Sequence, residues 1–261
     1  WDRLEAEGFA WWIRRVRAEL RKFDLLRLDH FRAFQAYWAI PAGASSAVEG
    51  RWLPGPGVPL FRALEAALGR LPLVAEDLGD IDDDVRGLVR ATGFPGMRVL
   101  QFGFGDPESI HRPDRYPANC VAYTGTHDND TLRAWLEGTT DEERGRIDGW
   151  LRERGGCAMG AGVVDGAGGV GEAGKACGGD AVDSLARALI RALYASAADR
   201  VIVPMQDVLG LGSDARMNIP SVEKGNWEWR LRSGWTESAG SAQLQDLASS
   251  TGRGQGEGLP T

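Results

Sequence analysis

The sequence predicts an α/β fold built on a parallel sheet, and three observations carry that prediction. Short apolar runs recur along the chain, as at Leu25–Leu28, Leu71–Ala75 and Cys120–Thr124. Between them lie stretches whose apolar residues repeat at steps of three and four, the signature of amphipathic helices. The two element types alternate rather than forming separate blocks, which is what a parallel α/β layer arrangement requires.

Taken in order, residues 2–23 read as one amphipathic helix, with Phe9, Ile13, Val16, Leu20 and Phe23 on one stripe and arginines on much of the other face. Leu25–Leu28 is the first strand. The segment from there to Pro59 is rich in glycine and proline and reads as a long loop. Residues 59–68 read as a helix, with Pro59 near its first turn and Gly69 as its stop. Leu71–Ala75 is the second strand. Residues 82–91 form a short helix opened by acidic residues that suit its N-terminal dipole. Met97–Phe102 and Cys120–Thr124 are the third and fourth strands. Helical patterns follow at 131–137, 141–153 and 182–197, the last with Val182, Leu185, Leu189 and Leu193 on one stripe. Val201–Met205 is the fifth strand. Five such strands fit either an open sheet or part of a barrel.

Two regions break the alternation. Eleven of the 25 residues at 155–179 are glycine and most of the rest are small, so this segment buries too little apolar area to offset its ordering entropy. It reads as a flexible insertion. The polar tail 238–261 reads as disordered.

Composition narrows the partners. Hydrophobic residues make up 43% and charged residues 26%, ordinary globular values that allow a sizeable core. A net charge of −7 without a basic block suits neither nucleic acid nor an anionic membrane surface, whereas a neutral ligand such as a sugar fits. Cys120, Cys157 and Cys177 are odd in number and unevenly spaced, so neither a disulfide framework nor a zinc site is expected, and a reducing, intracellular setting is. No segment has the length of a transmembrane helix. The chain opens at Trp1 rather than at methionine, so a segment ahead of it is expected. Of the ten tryptophans, most are expected in packing and a minority in stacking on sugar faces.

The chemistry is expected at the C-terminal ends of the strands, where parallel barrels and open parallel sheets both build their sites. The first strand ends in Arg27-Leu28-Asp29-His30. Alternation puts Arg27 and Asp29 on one face, where the guanidinium favours an ionised, nucleophilic carboxylate. A purely structural Arg–Asp pair explains the same motif equally well. The second strand ends in Ala75-Glu76-Asp77, and a carboxyl group at an apolar rim tends to have a raised pKa, suiting Glu76 to general-acid work. Helix capping is the competing role, for which Asp77 and Asp80 are better placed. The fourth strand ends in Thr126-His127-Asp128-Asn129-Asp130, a cluster able to bind sugar hydroxyls. It lacks metal-ligand spacing, so no metal is expected. Met205-Gln206-Asp207, Asn218 and Trp227–Trp229 carry less weight alone. There is no GxSxG elbow and no P-loop, and the glycines at 166–171 follow no strand. Carboxylate chemistry remains, as glycosidic-bond cleavage uses it.

At these strand ends the chain resembles the 4-α-glucanotransferases (amylomaltases or disproportionating enzymes) of glycoside hydrolase family 77. The strings LRLDHFR, EGRWLPGPG, AEDLG, THDND, QDVLGLG, RMNIP and GNWEWR carry the resemblance, in order, over roughly residues 1–235. The resemblance implies a (β/α)8 barrel of which this chain holds the second half, strands four to eight, over residues 1–237. It implies Asp29 as nucleophile, Glu76 as acid/base and Asp128 as binder of sugar hydroxyls and stabiliser of the transition state. It further implies Arg27, His30, His127 and Trp52 as substrate-binding residues, α-1,4-glucans and maltooligosaccharides as partners, no cofactor, and bacterial cytoplasm or plastid as the setting. Ala33 stands where the family usually has glycine, a mild change unless the position needs positive φ. An α-amylase-type hydrolase using the same carboxylates, and an inactive glucan-binding fragment, are the alternatives.

Overall fold

The computed structural model describes residues 1–154, 179–235 and 239–253. The chain divides into two compact units, Trp1–Met97 with Asn119–Val121, and Arg98–Ala118 with Ala122–Thr261. Helices and strands are mixed in it, as expected.

In the first unit, α1 (Asp2–Ala6) and α2 (Ala10–Leu20) replace the single helix expected over 2–23. Gly8 and Phe9 both adopt left-handed φ, +63° and +53°, and their N–H groups close α1 by donating to the Glu5 and Leu4 carbonyls. Apolar spacing alone does not reveal such a break. Burying the Phe9 ring offsets its strained backbone. Then come β1 (Leu26–Leu28), β2 (Ala36–Ala39), β3 (Arg51–Pro54), α3 (Gly57–Leu68), β4 (Leu73–Ala75) and α4 (Asp83–Thr92). Strand β1 pairs in parallel with β4, Arg27 opposite Val74 and Leu28 opposite Ala75. This register sets the ends of the two strands side by side.

The segment expected to be a loop up to Pro59 contains an antiparallel hairpin, β2 with β3, in which Trp38 faces Trp52. The strands are only four residues each and are framed by glycine and proline, so their pairing leaves little periodic trace. Between them a capping box of Ser46 and Glu49 closes a short 3-10 turn. The core of this unit is aromatic. Phe61 lies 5.3–5.4 Å, ring to ring, from Phe31, Phe34 and Phe94. Ala33, in a 3-10 turn, is not among the residues with positive φ, so no glycine is needed there.

Strand β5 (Gly96–Val99) is followed by β6 (Cys120–Tyr123) and β7 (Arg200–Ile202), forming a sheet of order β5-β6-β7. The third and fifth strands are shorter than expected. Leu100–Phe102 is a 3-10 turn, and Pro204 precedes the short helix α8 (Met205–Val208), where a ladder N–H would be missing. In the second unit Thr131 caps α5 (Leu132–Gly138), and Thr140 with Glu143 boxes α6 (Asp141–Glu153). Helix α7 (Gly179–Tyr194) buries Leu185, Leu189 and Leu193. The insertion expected at 155–179 lies outside the described residues, save Gly179, which opens α7.

The tail expected to be disordered instead holds α9 (Ala239–Ser250). Leu244, Leu247 and Ala248 lie on one partly buried stripe, which packs toward α7 and α8. Arg253 then anchors the chain, donating to the Tyr194, Ser196 and Ala198 carbonyls at 2.6 Å each. Polar composition concealed a three-residue apolar stripe. Among the described residues no helix is long and apolar enough to cross a membrane.

Candidate active site

The parallel register of β1 and β4 places two carboxyl groups in contrasting surroundings. Arg27 and Asp29 share one side of the β1 end, as alternation requires, and Arg27 Nη2 lies 2.7 Å from Asp29 Oδ1. The Asp29 side chain is 76% exposed, whereas Glu76, just past β4, is 9% exposed. Burial pushes the Glu76 carboxyl above its ordinary pKa; two backbone hydrogen bonds and Arg27 oppose this, and Asp29 adds to it. The backbone bonds come from the His30 N–H to Oε2 at 2.6 Å and the Leu78 N–H to Oε1 at 3.0 Å. His30 can aim its N–H this way because its φ is +48°. The Glu76 N–H donates to the Leu28 carbonyl, and the Phe31 N–H to that of Glu76, so the two strand ends are tied together.

The arginine is itself placed by a relay. Its Nε donates to Met97 Sδ at 3.3 Å, and the Met97 N–H donates to Asp77 Oδ1 at 2.6 Å. A Cβ on Gly96 would come within 2.5 Å of Asp77 Oδ2, so this relay needs a residue without a side chain. Asp77 is therefore not a helix cap. Asp82 caps α4, accepting from the Val85 N–H.

Trp52 stands apart from this pair, on the β2–β3 hairpin. It is half exposed, 5.4 Å edge-to-face from Trp38, with the Arg32 guanidinium 4.3 Å over its ring. Arg32 in turn pairs with Asp82 at 2.6 Å. One indole face is thus occupied by the arginine. The His30 side chain is exposed, and the contribution of this residue to Glu76 comes from its backbone.

In the second unit, the Thr126–Asp130 segment follows β6. Thr126 donates through both N–H and Oγ1 to Asn129 Oδ1 at 2.9 Å, folding the loop on itself. Asp128 Oδ1 accepts from Asn218 Nδ2 at 2.6 Å and lies 3.5 Å from His127 Nε2. Arg216 donates to the Asp128 carbonyl at 2.6 Å, and Ser213 Oγ to Asp130 Oδ2 at 2.8 Å. The His127 ring lies 5.1 Å from that of Trp227. A cavity of about 150 Å³ beside the loop is lined in part by His127, Asp130, Asp207 and Arg216. Arg216 was not singled out in the sequence, Asp77 stood there only as a capping candidate, and Asp207 and Asn218 carried little weight. For Asn218 and Arg216 the signal was the RMNIP string, whose partners lie some 90 residues away.

A buried carboxyl with a raised pKa, next to an exposed carboxylate paired with arginine, is the division of labour on which glycosidic-bond chemistry runs. The chain belongs to glycoside hydrolase family 77, whose model, described as 4-alpha-glucanotransferase, matches residues 1–236. It is 41% identical over 257 residues to the chloroplastic/amyloplastic 4-alpha-glucanotransferase of Solanum tuberosum, covering 97% of this chain and 40% of that one. With the 4-alpha-glucanotransferase of Thermus thermophilus the identity is 41% over 256 residues, covering 97% and 47%. An amylomaltase structure from Streptococcus agalactiae, in complex with acarbose, superposes with a TM-score of 0.82 at 34% identity, over 97% of this chain and 46% of that one. The chain therefore spans less than half the length of these relatives.

Proposed function

We propose that this chain is the second half, strands four to eight, of a (β/α)8 barrel, and that it carries the reacting groups of a retaining 4-α-glucanotransferase. In this reading the half barrel covers residues 1–237, with a glycine-rich insertion at 155–179. The observation that carries it is the pairing at the strand ends: Arg27 on exposed Asp29, and buried Glu76 with its pKa raised. The acarbose complex of the amylomaltase relative supports an α-glucan ligand.

In this mechanism an Asp29 oxygen attacks the anomeric carbon as the glycosidic C–O bond breaks. Glu76, whose carboxyl burial holds above its ordinary pKa, gives a proton to the leaving 4-oxygen. The β-linked glycosyl–Asp29 ester is then attacked by the 4-hydroxyl of an acceptor glucan. Glu76 takes the hydroxyl proton, and the ester bond breaks to restore the Asp29 carboxylate. Two inversions give retention, for which carboxyl groups about 5–5.5 Å apart are suited. Asp128 binds sugar hydroxyls and stabilises the positive charge developing on the ring. His127, His30, Arg27 and Trp52 bind substrate, and no cofactor takes part. α-1,4-Glucans and maltooligosaccharides are the partners. A soluble intracellular protein, in bacterial cytoplasm or plastid, accords with relatives from both bacteria and plants.

The test is incubation with maltotriose, following glucose and longer oligosaccharides together. Glucose with longer oligomers is the expected result. Glucose and maltose alone would replace the transferase with a hydrolase. Absence of turnover, both in this chain and after pairing with the amino-terminal half of a relative, would sink the reading.

A further inference from the structure

A single buried carboxylate holds both ends of the loop that carries His127 and Asp128. Asp207, on α8, is 6% exposed. Its Oδ2 accepts from Thr124 Oγ1 at 2.5 Å, and its Oδ1 from the Leu132 N–H at 2.7 Å. Thr124 directly follows β6, Leu132 opens α5, and both are fully buried. Residues 125–131 span the interval between these two bonds.

Such a carboxylate is an expensive way to join two elements. Burial raises its pKa to about 6; the bonds from Leu132 and Thr124 oppose the shift, and Asp130 adds to it. An apolar side chain would fill the space with no desolvation penalty. What the carboxylate adds is direction, because each oxygen meets a donor on a different element. The N–H at the start of α5 also favours an anion there. The loop is further constrained at its own ends: Gln101 Nε2 donates to the Asp130 carbonyl at 2.9 Å, and a Cβ on Gly125 would come within 2.8 Å of that amide.

The geometry points to Asp207 as a positioning residue that fixes the span of the 125–131 loop and thereby the aim of His127 and Asp128. Asp207 itself does not touch the glucan. Its importance for turnover rests on the transferase reading, but its hold on the loop does not.

The test reads the ring resonances of the three histidines, His30, His111 and His127, by NMR on the full 261-residue chain. Asp207→Ala removes both bonds. Asp207→Asn keeps an acceptor for the Leu132 N–H and offers its amide to Thr124 Oγ1. Thr124→Val removes one bond at nearly constant shape. The expected result is a shift of His127 in Asp207→Ala and Thr124→Val, a smaller one in Asp207→Asn, and unmoved His30 and His111. An unmoved His127 in all three variants overturns the proposal. If Asp207→Ala disturbs all three histidines, the other two variants decide: a change confined to His127 supports it, and no change or a general one overturns it. The readout requires no turnover, so its failure is separate from failure of the maltotriose assay.

Discussion

Glu76 is held in one way, Asp128 in another. Glu76 follows a strand paired in parallel with its neighbour and is fixed by main-chain N–H groups from His30 and Leu78. Asp128 lies on a loop and is fixed by side chains, Asn218 and Arg216, that arrive from about 90 residues further on. Main-chain donors come with the fold and survive most substitutions. Side-chain donors are lost one residue at a time. One carboxyl is therefore held by backbone at a strand end, and the other by long-range side-chain clamps on a loop.

The comparison is sharpened first at the carboxylates themselves. Asp29→Asn is expected to lower transfer from maltotriose by about 10⁴-fold or more, the scale seen when a nucleophile is removed. Glu76→Gln should cost about 10²–10⁴-fold while glucan binding persists, a split that equilibrium binding checks beside turnover. Near-normal transfer in either variant would refute the roles given to them. A smaller effect is expected from the clamps. Arg216→Ala frees the Asp128 carbonyl and should lower turnover by about 10²-fold, as misplacement of a reacting group does. If it matches wild type, the side-chain clamp is dispensable and the contrast between the two regions collapses.

The smallest effect is a pH dependence of stability. Asp207 has a folded pKa of about 6, above its ordinary value of 3.8. The folded state thus binds more protons than the unfolded one between those values. Stability from this group is fully present below about 4 and is lost as pH rises through 6. Going from pH 7 to pH 5 should return about 1 kcal/mol. Urea unfolding of Asp207→Asn should lack that increment. An identical slope in wild type and variant would mean that Asp207 does not titrate in this window.

Much of the first region was legible in the sequence. Alternation along Arg27–Asp29 gave the ion pair, and three apolar residues before Glu76 gave its raised pKa. Helices α3 to α7 stood near their expected places, because caps and apolar spacing are local signals. What was hidden depended on pairing at a distance. The β2–β3 hairpin joins two four-residue strands that look like loop, and α9 shows its apolar stripe only against α7 and α8. Asp207 carried little weight, because nothing near it in sequence names Thr124 as its partner. The break at Gly8 and Phe9 was masked by apolar spacing that continues across it.

Gly96 has no side chain and enters no reaction step, yet the room it leaves is where Asp77 stands, and through Met97 and Arg27 that placement reaches Asp29. A side chain at position 96 is therefore expected to displace Asp77 and disturb the Arg27–Asp29 pair. A mutational scan would record intolerance at a residue offering nothing to substrate. Searches for improved variants that hold only the acidic residues constant would lose function through this strand, and a library built around Asp29 should freeze Gly96 with it.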